Sequence, residues 1–185
     1  MREEWTEVRD DTRQWRKGGP YTAYYESGRE REQGQYERNM RNGRWRFWYD
    51  YERGFLLMRG EYIAGEMDGV WEFWMDPAHH MSTTHSDSIY TNSSGVEDSA
   101  LTAHTAHQLK PHKRESYKAG KSHGLWISWH SDHQIADSAN YVEGKLEGKV
   151  VTYFRDGLLA SEAHYAAGAL VGELKLWDKQ GNRIE

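Results

Sequence analysis

Tyr141-Val-Glu-Gly-Lys-Leu-Glu-Gly-Lys-Val-Val-Thr-Tyr-Phe-Arg-Asp-Gly157 runs on through Leu158–His164 to Tyr165, where the same phrase begins again after 24 residues. The copy that follows reads Tyr165, Gly168, Gly172, Leu174, Trp177 and Gly181, and the copy before it reads Tyr117, Gly120, Gly124, Trp126 and Trp129. Three consecutive units are in register. Such a fixed period marks a repeat architecture in which each unit stacks on its neighbours. In the N-terminal half, Gly19, Tyr21, Tyr24, Gly28 and Tyr36 repeat the spacings from Gly148 to Tyr165. A second unit there carries Tyr36, Asn39, Gly43, Trp45, Trp48 and Gly54, with two extra residues before its turn. A third carries Tyr62, Gly65, Gly69, Trp71 and Trp74, which brings the count to six, the first lacking most of its leading hairpin.

Within a unit, alternate positions after the second glycine are apolar: Trp45-Phe47-Tyr49, Trp71-Phe73-Met75 and Val150-Thr152-Phe154. Period-two patterning is that of a strand with these side chains on one sheet face. The opposite parity carries one aromatic per unit, Tyr24, Trp48, Trp74, Trp129, Tyr153 and Trp177, which predicts a ladder of rings packing repeat on repeat or partly exposed for recognition. The second strand ends small-then-aromatic, as in Gly34/Tyr36, Gly60/Tyr62, Ala139/Tyr141 and Ala163/Tyr165, so the small residue leaves room for a ring. Ser27-Gly28, Asp156-Gly157 and Gln180-Gly181 suit hairpin turns with positive φ. Tight turns cannot make parallel crossovers. The predicted fold is therefore all-β: an elongated, single-layer antiparallel meander of about six 24-residue hairpin repeats.

The array is interrupted once. Trp74 and Tyr117 are 43 residues apart where the regular unit uses 12, which places a long polar insertion in the third repeat. The expected organisation is an N-terminal cap over residues 1–18, repeats 1–3 over 19–76, a histidine-rich insertion over 77–116 and repeats 4–6 over 117–185. The insertion holds His79, His80, His85, His104, His107 and His112, six of the ten histidines. His104 and His107 would share a face of a short helix begun by Asp98 or Ser99 and ended before Pro111. A metal-binding module is one reading of this cluster, but no ligand set of three or four is evident, and a polar loop with no metal is the expectation.

Composition narrows the function. The chain has 185 residues, a formal charge of −5, nine Trp, twelve Tyr and no Cys. Disulfides, thiolate metal sites and cysteine nucleophiles are excluded. Mean hydropathy is −1.00, and no apolar run reaches the ~20 residues of a membrane-spanning helix. Charges in the first ten residues leave no room for a signal-peptide core, so a cytoplasmic location is expected. The negative balance opposes nucleic-acid binding, which needs a basic stripe, and suits a basic partner. The Gly144-x-x-x-Gly148 spacing recurs in four units and lacks the Gly-Lys-Ser/Thr of a phosphate loop, and no nucleophile elbow or His-Glu-x-x-His helix occurs. A non-enzymatic protein without a cofactor is expected.

The phrase Tyr-x-x-Gly-x-x-x-Gly-x-Trp-x-x-Trp/Tyr-x-x-x-Gly, read from Tyr36, Tyr62, Tyr117, Tyr141 and Tyr165, resembles the MORN-repeat family. It is most similar to the bacterial variant found in YwqK-type antitoxins, over roughly residues 15–76 and 115–185. The 24-residue spacing, the doubled aromatic and the insertion depart from the ordinary MORN unit. The resemblance implies an immunity protein that occludes a cognate toxin. A MORN-type scaffold or lipid-associated adaptor is the alternative. The expected partner strip is Trp48, Asp50, Glu52, Glu72, Trp74, Asp76, His79, His80 and Trp129, with rings supplying affinity and acids supplying specificity. Which sheet face is used, and whether the chain is a monomer or a dimer, stay open at this level.

Overall fold

A computed structural model describes residues 2–9, 13–51, 54–76 and 110–184. Its fifteen strands form one open antiparallel sheet. They are β1 (Arg2–Arg9), β2 (Trp15–Tyr24), β3 (Glu30–Glu37), β4 (Met40–Trp48), β5 (Leu56–Ile63), β6 (Glu66–Phe73), β7 (Lys113–Lys118), β8 (Lys121–Ser122), β9 (Gly124–Trp129), β10 (Ile135–Val142), β11 (Lys145–Leu146), β12 (Gly148–Tyr153), β13 (Leu159–Ala166), β14 (Ala169–Leu170) and β15 (Lys175–Leu176). Each pairs with its sequence neighbour along the path β1-β2-β3-β4-β5-β6-β7-β9-β10-β12-β13-β14, so the meander expected from the repeats is the fold. Strand β8 pairs with β7, β11 with β10 and β15 with β13, so β8/β9, β11/β12 and β14/β15 are each one strand broken by a bulge.

Two turn types alternate along the sheet. On one side, Arg38-Asn39, Ala64-Gly65, Ala119-Gly120, Glu143-Gly144 and Ala167-Gly168 have positive φ at both residues. That is the two-residue turn whose twist matches the flanking strands. On the other side, Gly28, Gly157 and Gly181 close three-residue loops, donating to the carbonyls of Tyr25, Phe154 and Asp178. The fourth such loop puts His133, φ 68°, where the others have glycine.

The tight turns stack. Asn39, Gly65, Gly120, Gly144 and Gly168 each donate a backbone N–H to the preceding unit, at the carbonyls of Lys17, Arg41, Met67, Ser122 and Leu146. Beside this ladder, the side chains of Asn42, Asp68, His123 and Glu147, each just before a repeat glycine, accept from the amides of Ala64, Ala119, Glu143 and Ala167. The 24-residue period is therefore enforced by hydrogen bonds between turns as well as by strand pairing.

The second glycine of each unit sits in a bulge. Gln35 pairs with Asn42 and Gln33 with Arg46, so Gly43-Arg44-Trp45 lies opposite the single residue Gly34. Gly69-Val70-Trp71 lies opposite Gly60 in the same way. The indole then folds over the small residue: a Cβ on Gly34 would stand 2.3 Å from the Trp45 ring, and one on Gly60 2.2 Å from Trp71. Where the third residue of the bulge is Val150 or Leu174, the opposing residue is Ala139 or Ala163. Glu115 breaks the rule opposite Trp126. It is buried, accepts a hydrogen bond from the Tyr117 hydroxyl at 2.5 Å and pairs with Lys113, whose ammonium lies 5.5 Å from the Trp126 ring centre.

The core lies on this face. Tyr21, Ala23, Trp45, Phe47, Tyr62 and Trp71 form one buried cluster, with Trp45 and Trp71 at 0% exposure. Its rings meet mostly edge-on, as Tyr36–Trp45 at 5.3 Å and 90° and Tyr62–Trp71 at 4.9 Å and 78°. Such pairs add about 0.5–1.5 kcal/mol beyond burial. The Arg41 guanidinium covers the cluster, 4.4 Å from the Trp45 ring centre, and is held by Glu32 at 2.5 Å.

Two boundaries differ from the sequence reading. Residues 1–18, expected as a cap, supply β1 and the start of β2; the edge is an acidic and basic strand, which discourages further pairing. The insertion was drawn to residue 116, yet β7 begins at Lys113 and pairs with β6 from Phe73↔Lys113 to Gly69↔Tyr117. Pairing with β6 rather than tyrosine spacing sets that end. The proposed short helix lies outside the described residues.

Gly60→Ala is expected to cost about 1–3 kcal/mol, because the new methyl overlaps a fully buried ring. Gly157→Ala, at φ 86° in open space, is expected to cost only the ~1 kcal/mol of left-handed strain. Urea unfolding of both variants checks this, and equal losses would refute the bulge-and-ring account.

Candidate partner-binding face

Trp48, Asp50, Trp74 and Asp76 gather at the wide-turn end of repeats 1–3, where the chain enters the insertion. A chain of hydroxyls organises this end. Tyr25 Oη donates to the Trp48 carbonyl at 2.6 Å and Tyr49 Oη to the Trp74 carbonyl at 3.0 Å. His130 Nε2 takes the same place against the Tyr153 carbonyl at 3.0 Å. Burial, with Asp76 nearby, pushes the Tyr49 phenol up to about 12, so it remains a donor throughout the physiological range.

Each expected acid that the structure describes is already matched within the chain. Asp50 Oδ1 accepts from Ser27 Oγ at 2.5 Å and Arg29 Nη1 at 3.2 Å, and these bonds hold its carboxyl below the usual range. Asp76 Oδ1 accepts from Tyr51 Oη at 2.8 Å. Glu72 bridges two strands, with Arg59 at 2.6 Å and Arg114 at 2.7 Å. Burial alone would raise its pKa, but hydrogen bonds from Arg114 and Arg59 outweigh burial and lower it. Asp50 and Glu72 therefore complete internal ion pairs, and Asp76 completes an internal hydrogen bond.

The rings divide as well. Trp74 is 3% exposed, under the Arg59 guanidinium at 5.1 Å, so it serves the fold and offers no free surface. Trp48 and Trp129 are half-buried, the latter 5.9 Å from the Arg114 guanidinium. Among the described residues the aromatic ladder runs elsewhere: ring-to-ring contacts connect the core face, from Tyr21–Trp45 to Phe47–Trp71, and not Trp48, Trp74 and Trp129. The reason is that this row sits at strand ends, where register shifts at Ala23/Tyr24, Phe47/Trp48 and Thr152/Tyr153 turn the backbone.

Glu52, His79 and His80 lie outside the described residues, as do His85, His104 and His107. Among the described residues no three His, Asp or Glu side chains converge as metal ligands, and no helix is long and apolar enough to cross a membrane. His112, at the return from the insertion, is half-buried, and its buried Nδ1 has no hydrogen-bond partner among the described residues. Burial is the main reason its imidazole titrates below the usual 6.5.

Sequence reasoning missed two exposed arginines. Arg44 and Arg46 project from β4 and make no ion pair or side-chain hydrogen bond among the described residues. Their signal was present, as two arginines flanking Trp45 at strand alternation, but it was hidden beneath the net negative charge. Comparison with family models and with curated proteins finds no match.

Two outcomes test this geometry. Glu72→Gln is expected to destabilise by about 1–2 kcal/mol, because Arg59 and Arg114 lose their shared carboxylate, and the loss should shrink as salt screens them; an unchanged urea midpoint refutes the bridge. Acidification from pH 7 to 5 should lower stability, since the unfolded chain takes up a proton near 6.5 that folded His112 resists. His112→Gln should flatten that slope, and an unaltered slope would assign the acid sensitivity elsewhere.

Proposed function

We propose that this chain is a non-enzymatic, protein-binding repeat array that neutralises a partner protein by covering it, in the manner of an immunity protein or antitoxin. The observation that carries this reading is the architecture itself: one open antiparallel sheet of consecutive paired hairpins that presents a broad surface among the described residues. Occlusion requires only shape and charge complementarity over a wide area, and an extended sheet offers such an area. The MORN-like cadence supports the same reading through its similarity to YwqK-type antitoxins. The partner would be a toxin or effector, basic overall if the net charge of −5 steers its approach. Action from the cytoplasm belongs to the same reading.

The test is co-expression with the product of the adjacent gene. That product should be toxic alone, harmless with this chain and co-purified with it. A harmless neighbour, or toxicity that persists although this chain is folded and abundant, overturns the proposal.

A further inference from the structure

One face of repeats 1–3 carries its charges in rows across the strands. Thr22, Gln33, Arg46, Arg59, Glu72 and Arg114 are successive Cα partners from β2 to β7. Arg44 begins a second row, opposite Glu61. Two adjoining grooves share Arg44, Arg46 and Glu61, and Gln33, Gln35, Arg59 and Glu72 add to their polar lining.

The charges in this groove do not balance. Glu72 is shared by Arg59 and Arg114, and Glu61 faces Arg44 without an ion pair. Arg46 stands directly opposite Arg59, a like-charge pairing that destabilises a sheet unless something else compensates. Both Arg44 and Arg46 are exposed. Within a chain that is acidic overall, this lining thus sets three arginines, Arg44, Arg46 and Arg59, against two glutamates, Glu61 and Glu72, and Arg44 and Arg46 make no ion pair among the described residues.

We infer that this groove over β2–β6 docks an extended acidic polypeptide segment, gripped by Arg44 and Arg46. Being two apart on one strand, the two arginines are separated by roughly 6.6 Å, the distance between carboxylates at alternate residues of an extended peptide. A guanidinium fork engages a carboxylate bidentately, and Gln33 and Gln35 add hydrogen-bond donors and acceptors for the peptide backbone. Nucleic acid fits less well, because binding of unpaired bases needs rings to stack on and the rings that line the groove, Tyr21 and Trp45, are buried. The inference gives a chemistry to one part of the partner in the protein-binding reading, whose own test does not depend on it.

Fluorescence anisotropy of the intact protein with a short labelled peptide alternating Glu and Ser tests the groove. The peptide should bind in low salt and be released in high salt, while its Lys-for-Glu counterpart does not bind. Arg44→Glu with Arg46→Glu should weaken binding by at least about tenfold, and the Gln pair by less. Lys118→Glu with Lys145→Glu, which changes the net charge equally elsewhere, should leave it intact. Circular dichroism confirms folding. Absent binding of the Glu peptide, an equal loss in the Lys118/Lys145 control, or stronger binding of an oligothymidine of similar length would each overturn the inference. Suppression of the neighbour's toxicity by the Arg44/Arg46 variants would leave the antitoxin reading standing while removing the groove from it.

Discussion

The structure depends on an indole laid over a glycine. Opposite Gly34 and Gly60 the partner strand bulges by two extra residues, and the third residue of each bulge, Trp45 or Trp71, folds back over the space that the missing side chain leaves. A single-layer sheet has no second layer to cover its apolar face. Large rings, bent along the sheet by bulges and packed edge to face, supply that cover from within the layer. The two halves of the chain differ accordingly. The clustered core of Trp, Tyr and Phe is confined to repeats 1–3 and their border, whereas beyond β9 only Val151 and Ala163 are buried apolar residues among those described.

Stacking of turns complements the rings. Each tight-turn amide donates to the previous unit, and a polar side chain before the repeat glycine caps the next turn. Backbone donors at these turns would otherwise be left to solvent. The period is thus read by two independent sets of contacts, rings on one face and hydrogen bonds at one end. This explains how the array tolerates an excursion between Trp74 and His112: the strand after it rejoins β6 in register, with His112 donating to Phe73 and Gly120 to Met67.

Charge follows a different logic from net composition. Acids that appear free in sequence, such as Asp50 and Glu72, meet Arg29, Arg59 and Arg114 across strands or turns. Partners separated by 13 to 42 residues cannot be matched by inspection of a linear chain. What remains after this pairing is locally basic, around Arg44 and Arg46, although the chain carries −5 overall.

The sequence by itself determined the repeat, the strand alternation, the antiparallel meander and the small-residue rule at Gly34, Gly60, Ala139 and Ala163, because these are local consequences of period-two patterning and of turns that require positive φ. Tertiary structure alone decided which aromatic row is core. The rings of Trp45 and Trp71 were distinguishable from Trp48 and Trp74 only by parity, and the bulges shift that parity partway along the strand. It likewise decided that Trp74 is buried, that Glu115 replaces a small residue by pairing with Lys113 and Tyr117, and which charges are consumed. Burial and charge pairing are properties of neighbours brought together across strands, so they depend on register, which a single repeat does not specify.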